Sequence, residues 1–225
     1  MLRFSFKVVL MNSKVLVLLV MGLCQVAFGE VLLSQNLFRK VPFSSQYSED
    51  GSLIRSVDFR SVNDLIPQLE EHFKELLNGR TLQDRNESHV TIITPPEGKT
   101  DFFPGSIGID QVFPTAEMIN MYKKSIQDTS FDVVCVGMQK NTKGNIVFFL
   151  VLESQDILNI RKDIRDIVLQ KDIDRVISSD HPLMANAPYY PHITIGFVGG
   201  DIHVDKHGKL ISKGSDSCVQ GVKFY

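Results

Sequence analysis

Two copies of one four-residue pattern lie roughly a hundred residues apart: His89-Val90-Thr91-Ile92 and His192-Ile193-Thr194-Ile195. Each is a histidine, one spacer, a threonine and an apolar residue. Side chains alternate faces along a strand, so His89 and Thr91 share one face while Val90 and Ile92 share the other. The second copy repeats this with His192 and Thr194 against Ile193 and Ile195. With six His and eight Thr in 225 residues, 43% of them hydrophobic, chance placement gives only ~0.1 such patterns. A fold that satisfies both copies needs two half-buried strands, each presenting an imidazole and a hydroxyl to one surface.

Histidine titrates near neutrality, so two imidazoles facing one another can divide general-base and general-acid work. Two threonine hydroxyls beside them suit the negative oxygens of a phosphoryl group. That set fits phosphodiester chemistry without a metal. The competing reading is a pair of ordinary strand histidines.

Residues 1–29 read as a secretory signal peptide. Arg3, Lys7 and Lys14 form a positive n-region, residues 15–23 an apolar core, and Ala27-Phe28-Gly29 a small-x-small site with cleavage before Glu30. No stable membrane span is expected afterwards, because the apolar run is short. The expected location is secreted, or a secretory-pathway or periplasmic lumen. Loss of the leader removes three basic residues and no acidic one, moving the formal charge from −2 to about −5. An acidic domain is a poor trap for long nucleic acid, so small nucleotides or RNA ends fit better. Cys135 and Cys218 can pair in an oxidising compartment, and a buried free thiol at Cys135 is the alternative. Asn86-Glu87-Ser88 is a glycosylation sequon that would crowd His89 if it carried a glycan.

Residues 30–50 read as a loose lead-in and 51–225 as one domain. The patterning predicts a strand over 54–59 and a helix capped by Ser61 that buries Leu65, Ile66, Leu69, Phe73 and Leu76 and ends at Gly79. The first motif strand, 88–93, stops at Pro95-Pro96. Gly- and Pro-rich residues 97–114 form a loop or lid. A helix over 115–126, a hairpin of 131–139 with 145–153, and a helix over 156–170 precede the second motif strand at 191–198. A hairpin near 205–208 and a strand over 219–224 end the chain. Strand, helix, motif strand thus occurs twice, which suggests a pseudo-symmetric α+β architecture with two lobes and a cleft.

Other chemistry has little foothold. His203, Asp205 and His207 alternate like a metal ligand set, but Asp-Lys-His-Gly reads better as a solvated turn. His72 reads as helix surface. There is no phosphate loop ending in Gly-Lys-Ser/Thr, no Cys-x-x-Cys and no Gly-x-Ser-x-Gly. Tyr189, Tyr190, Phe102 and Phe103 are aromatics near the motif or lid; Tyr190 is the candidate for stacking on a base.

The paired motifs, their separation and the lead-in Tyr190-Pro191-His192-Ile193-Thr194 resemble the 2H phosphoesterase superfamily over about residues 51–200. Its members include LigT-type RNA 2′,3′-cyclic phosphodiesterases, plant cyclic phosphodiesterases and 2′-5′ oligoadenylate phosphodiesterases. The resemblance implies a bilobal α+β fold, two antiparallel sheets flanking a central cleft with helices outside. It implies a phosphodiesterase in which His89 and His192 are catalytic and Thr91 and Thr194 hold the phosphate, with no metal or other cofactor. The expected protein is a monomer that opens cyclic phosphate or related phosphodiester bonds of RNA-derived nucleotides. The alternatives are a secreted phospho-ligand-binding module of the same fold without turnover, or a structural domain whose His-Thr strands are incidental.

Overall fold

The computed structural model describes residues 29–41, 52–98, 108–171, 183, 189–203, 212–220 and 222–224. Most of the leader, the hairpin expected near 205–208, and Phe102, Phe103, Asp205 and His207 lie outside them.

The architecture mixes helices with two antiparallel sheets. Strand β2 (Leu53–Ser56) pairs antiparallel with β3 (His89–Ile93), the first motif strand. Strands β4 (Asp132–Lys140), β5 (Ile146–Glu153) and β6 (His192–Val198) form the second sheet, with β5 central and the second motif on β6. A further pair, β1 (Gly29–Val31) with β7 (Val222–Phe224), runs parallel and joins early and late parts of the chain. The late strand therefore pairs with β1. The 30–50 stretch read as loose contributes Val31 and Leu37 to the core.

The β4–β5 hairpin is set by its turn. Asn141 Oδ1 accepts from the amides of Lys143 and Asn145, both at 3.0 Å, and Gly144 takes φ +83°. Strand β5 is apolar without alternation because both its faces are covered. Phe148, Leu150 and Leu152 enter the main core, and Val147, Phe149 and Val151 form a second cluster with Ile202.

The expected helix over 61–79 is split into α1 (Phe59–Asn63), α2 (Leu65–His72) and α3 (Lys74–Leu77). Pro67 explains the first break: it has no N–H for the Asn63 carbonyl, and its ring crowds that carbonyl. The cap is Asp58, one turn earlier than expected, accepting from the Ser61 amide at 2.8 Å and the Ser61 hydroxyl at 2.6 Å. Asn78 and Gly79, both at positive φ, end α3.

After β3 comes a helical turn, α4 (Pro95–Gly98), where an open loop was expected. Ile109 and Phe113 are also fully buried, so the parts of the 97–114 segment described here are anchored in the core. Helices α5 (Thr115–Asp128) and α6 (Gln155–Lys171) follow their periodicity closely. They bury Met118, Tyr122 and Ile126, and Ile157, Ile160, Arg161, Ile164 and Val168. Ser154 Oγ accepts from the Ile157 amide at the start of α6.

Cys135 and Cys218 are joined in a disulfide, Cα atoms 5.7 Å apart across 83 residues of sequence. Among the described residues, no helix is long and apolar enough to cross a membrane.

Candidate active site

Strands β3 and β6 lie against one another, so the two motifs meet although they belong to different sheets. Two features outside the ladders hold them there. The Gln83 amide donates to the Phe197 carbonyl (2.9 Å), and the Gln83 carbonyl accepts from the Phe197 amide (3.0 Å). The Tyr189 hydroxyl donates to the carbonyl of Thr91, tying the approach to β6 directly onto β3. Gly196 suits this closeness, since a Cβ there would sit 3.1 Å from the Gln83 carbonyl oxygen.

On β3 the alternation is as expected. Val90 and Ile92 are fully buried, while His89 and Thr91 are half-buried on the other face. Their neighbours on β2 are Ser56 and Ile54. His89 Nδ1 is 3.5 Å from Glu87 Oε1. Burial pushes the Glu87 carboxyl above its ordinary value.

On β6, His192 lies opposite Val151 and Thr194 opposite Phe149. His192 is half-buried and Thr194 is buried. His192 Nδ1 is 2.8 Å from the Tyr190 carbonyl. A carbonyl can only accept, so Nδ1 carries the proton, and the neutral ring keeps its lone pair on Nε2. The ring meets Phe149 edge-on, centroids 5.8 Å apart. Burial lowers the His192 pKa to about 3, the Lys213 charge adds to this, and His89 acts in the same direction. The Tyr190 carbonyl and Asp201 oppose the shift without reversing it. The ring is not sealed from water, and the direction is what governs its chemistry: a histidine that is neutral at physiological pH.

Asp201 and Lys213, whose charges act on that ring, belong to a charged cluster. Asp201 sits 3.1 Å from Arg85 Nη1, 3.4 Å from Lys213 Nζ and 3.5 Å from His203 Nε2. Its own amide neighbour Ile202 donates to it at 2.7 Å. Burial opposes the Asp201 charge, and Lys213, His203 and Arg85 outweigh it, holding the carboxyl below its usual range.

Behind β3 lies a second network, with Arg161 and Glu97 buried at its centre. Arg161 of α6 makes a bidentate pair with Glu97 of α4 at 2.7 and 3.0 Å and also donates to the Ile92 carbonyl. The amide and hydroxyl of Thr94 both donate to Glu97. The guanidinium stacks over the Tyr189 ring, 4.0 Å from its centroid. Burial opposes the charge on both partners, yet each favours the other's ionised form: Glu97 is shifted down and Arg161 up. Burial holds the Tyr189 phenol far above its ordinary value, so it stays a donor to Thr91.

All four motif residues thus come to one region. Tyr190 precedes them, 37% exposed, and lines a groove of about 590 Å³ with Phe131, Val134, Leu158, Pro191 and Gly214. Neither histidine lines that groove; it adjoins the start of β6 rather than enclosing the imidazoles. Glu87 was legible, since 87, 89 and 91 share one alternation. Tyr189, Glu97, Arg161, Asp201 and Lys213 carry no local signal. Asn86 of the sequon is exposed, with φ +57°. His72 is exposed, as its helical position suggested.

A family model described as Swiss Army Knife, 2H phosphoesterase domain, matches residues 56–203. That span includes both motifs, Glu87, Glu97, Arg161 and Asp201, and leaves Lys213 and Cys218 outside. No match to the chain was found among curated proteins or among solved structures.

Proposed function

The chain belongs to the 2H phosphoesterase family, whose members hydrolyse phosphodiester bonds, and we propose that this one opens 2′,3′-cyclic phosphates or related phosphodiesters of RNA-derived nucleotides. His89 and His192 are its acid–base pair. The observation that carries the reading is the difference between the two imidazoles. His192 is held neutral, with Nδ1 committed to the Tyr190 carbonyl, and so offers Nε2 as a base. His89, with Nδ1 3.5 Å from the Glu87 carboxylate rather than committed to a carbonyl, takes the opposite role of acid.

In this reading water attacks phosphorus while His192 Nε2 takes its proton. The bond from phosphorus to one ribose oxygen breaks, and His89 gives that oxygen its proton. A phosphomonoester and a free hydroxyl leave, and proton exchange with solvent resets the pair. Thr91 and Thr194 hydroxyls donate to the non-bridging oxygens, where charge accumulates. Tyr190 takes the base face-on; its exposed ring beside the groove supports this. No metal or cofactor enters the scheme. The two antiparallel sheets are the two lobes, with the reaction between them. We place a monomer in a secretory or periplasmic lumen, a reading that the Cys135–Cys218 disulfide supports.

The test is turnover of a 2′,3′-cyclic nucleotide in EDTA by the purified protein, with product identification. His89→Ala and His192→Ala should each lower kcat/KM by about 10²–10⁴. Undiminished hydrolysis by the double variant would sink the assignment. Ligand binding with no product across a broad panel would make the protein a binding module instead.

A further inference from the structure

Lys213 is 4% exposed, an ammonium almost wholly withdrawn from water. Keeping a charge there is expensive unless something uses it. Its Nζ has three protons to give. Asp201, at 3.4 Å, is its one hydrogen-bond acceptor among the described residues, and that carboxylate is shared with Arg85 and His203. Among the described residues that carboxylate faces two cations, Arg85 and Lys213; burial lowers the Lys213 pKa, and Asp201 opposes that shift. Nζ also lies 5.5 Å from the centroid of Phe149, the same ring that abuts His192.

The segment carrying Lys213 is fastened across the motif side of the second sheet. Gln139 Nε2 donates to the Ser212 carbonyl at 3.2 Å, and the Val219 amide donates to the Val136 carbonyl at 2.9 Å. Cys218 is bonded to Cys135, whose strand position opposite Val151 puts it on the face of Phe149 and His192. Gly214 lies so close to Tyr190 that a Cβ would fall 2.5 Å from the ring. The backbone on either side of Lys213 is thus committed, and the side chain has little choice of direction.

We propose that Lys213 is a third phosphate-contacting group of this site, a fixed cation presented by the disulfide-fastened 212–219 segment and aimed by Asp201. It takes an anionic phosphoryl oxygen of the substrate or of the phosphomonoester product. This rests on the two-histidine site being where phosphate binds. A cation at that place also disfavours a proton on the adjacent His192 in the empty site, in line with the direction of that histidine's shift.

Inorganic phosphate is the probe, titrated by calorimetry into the intact protein and followed by the His192 Cε1–H and Lys213 Nζ resonances. Phosphate should move both resonances in the wild type. Lys213→Met should weaken binding by about tenfold or more, the usual worth of a charge-assisted hydrogen bond, while Lys213→Arg keeps most of it. Cys135→Ser/Cys218→Ser, which retains the lysine but frees its segment, should also weaken binding. Wild-type phosphate affinity in a folded Lys213→Met protein overturns the proposal. If that variant does not fold, an Nζ resonance unmoved by phosphate in the wild type overturns it equally. A wild type that binds phosphate through Lys213 but hydrolyses nothing refutes the hydrolase reading alone. Normal hydrolysis by Lys213→Met, with unchanged KM and phosphate affinity, refutes the lysine alone.

Discussion

A histidine is useful as a base only while it is unprotonated, and His192 is arranged to stay so. Its folded pKa, about 3, lies below the ordinary value of 6.5. Two consequences differ in sign from those of a solvent-exposed histidine. The base form persists into acid, so the acidic limb of the kcat/KM profile should fall well below pH 6; a limb centred near 6.5 would contradict the assignment of His192 as base. Stability behaves oppositely. Unfolded His192 takes up a proton as pH drops through 6.5, whereas the folded ring resists until about 3, so this residue subtracts stability progressively across that window. Thermal melts of wild type and His192→Asn against pH isolate the effect, because carboxylates that titrate in the same range are common to both. The wild type should lose melting temperature more steeply below pH 6.5, and parallel curves would rule the shift out.

Among the elements, β3 owes its position to side chains that no strand pattern announces. Glu97→Gln would leave the Arg161 guanidinium buried without its counter-charge, a loss of about 3–5 kcal/mol in chemical denaturation. A change under 1 kcal/mol would mean that water already reaches the pair. Gly137 is the second such point. A Cβ there would fall 2.3 Å from the Phe149 ring, so Gly137→Ala must displace the ring that rests against His192. About 1–3 kcal/mol of stability should go, together with part of the activity; an unmoved Phe149 in the variant's crystal structure would refute the argument. The elements themselves were largely readable. The two histidine strands follow from period 2, α5 and α6 from period 3.6, and the β4–β5 hairpin from two apolar runs flanking the turn at 141–144. Pro67 announces the break in the first helix, since a proline there removes the N–H for the Asn63 carbonyl. Glu97 was hidden by its company: next to two prolines it looks like solvated loop, and only Arg161, 64 residues away, shows why it is buried.

Over the whole molecule, the long-range pairings are what sequence inspection cannot supply. Alternation says that His192 and Thr194 share a face but not that Lys213 arrives there. Its segment is held by Asp201, by the Gln139–Ser212 bond and by a disulfide between residues 83 apart. The disulfide was one of two open readings for Cys135, since spacing carries no information on proximity. The twofold strand–helix–strand order indicates an α+β architecture, the two antiparallel sheets are what the family resemblance implies, and the parallel β1–β7 pair has no counterpart in either. Of the two features outside the ladders, the bond from the Tyr189 hydroxyl to the Thr91 carbonyl is the one that lands on β3 itself. Strands clamped in this way should open together or not at all. Amide protons of β3 and β6 would then exchange with deuterated solvent at a common free energy, and Tyr189→Phe would let the two sets drift apart.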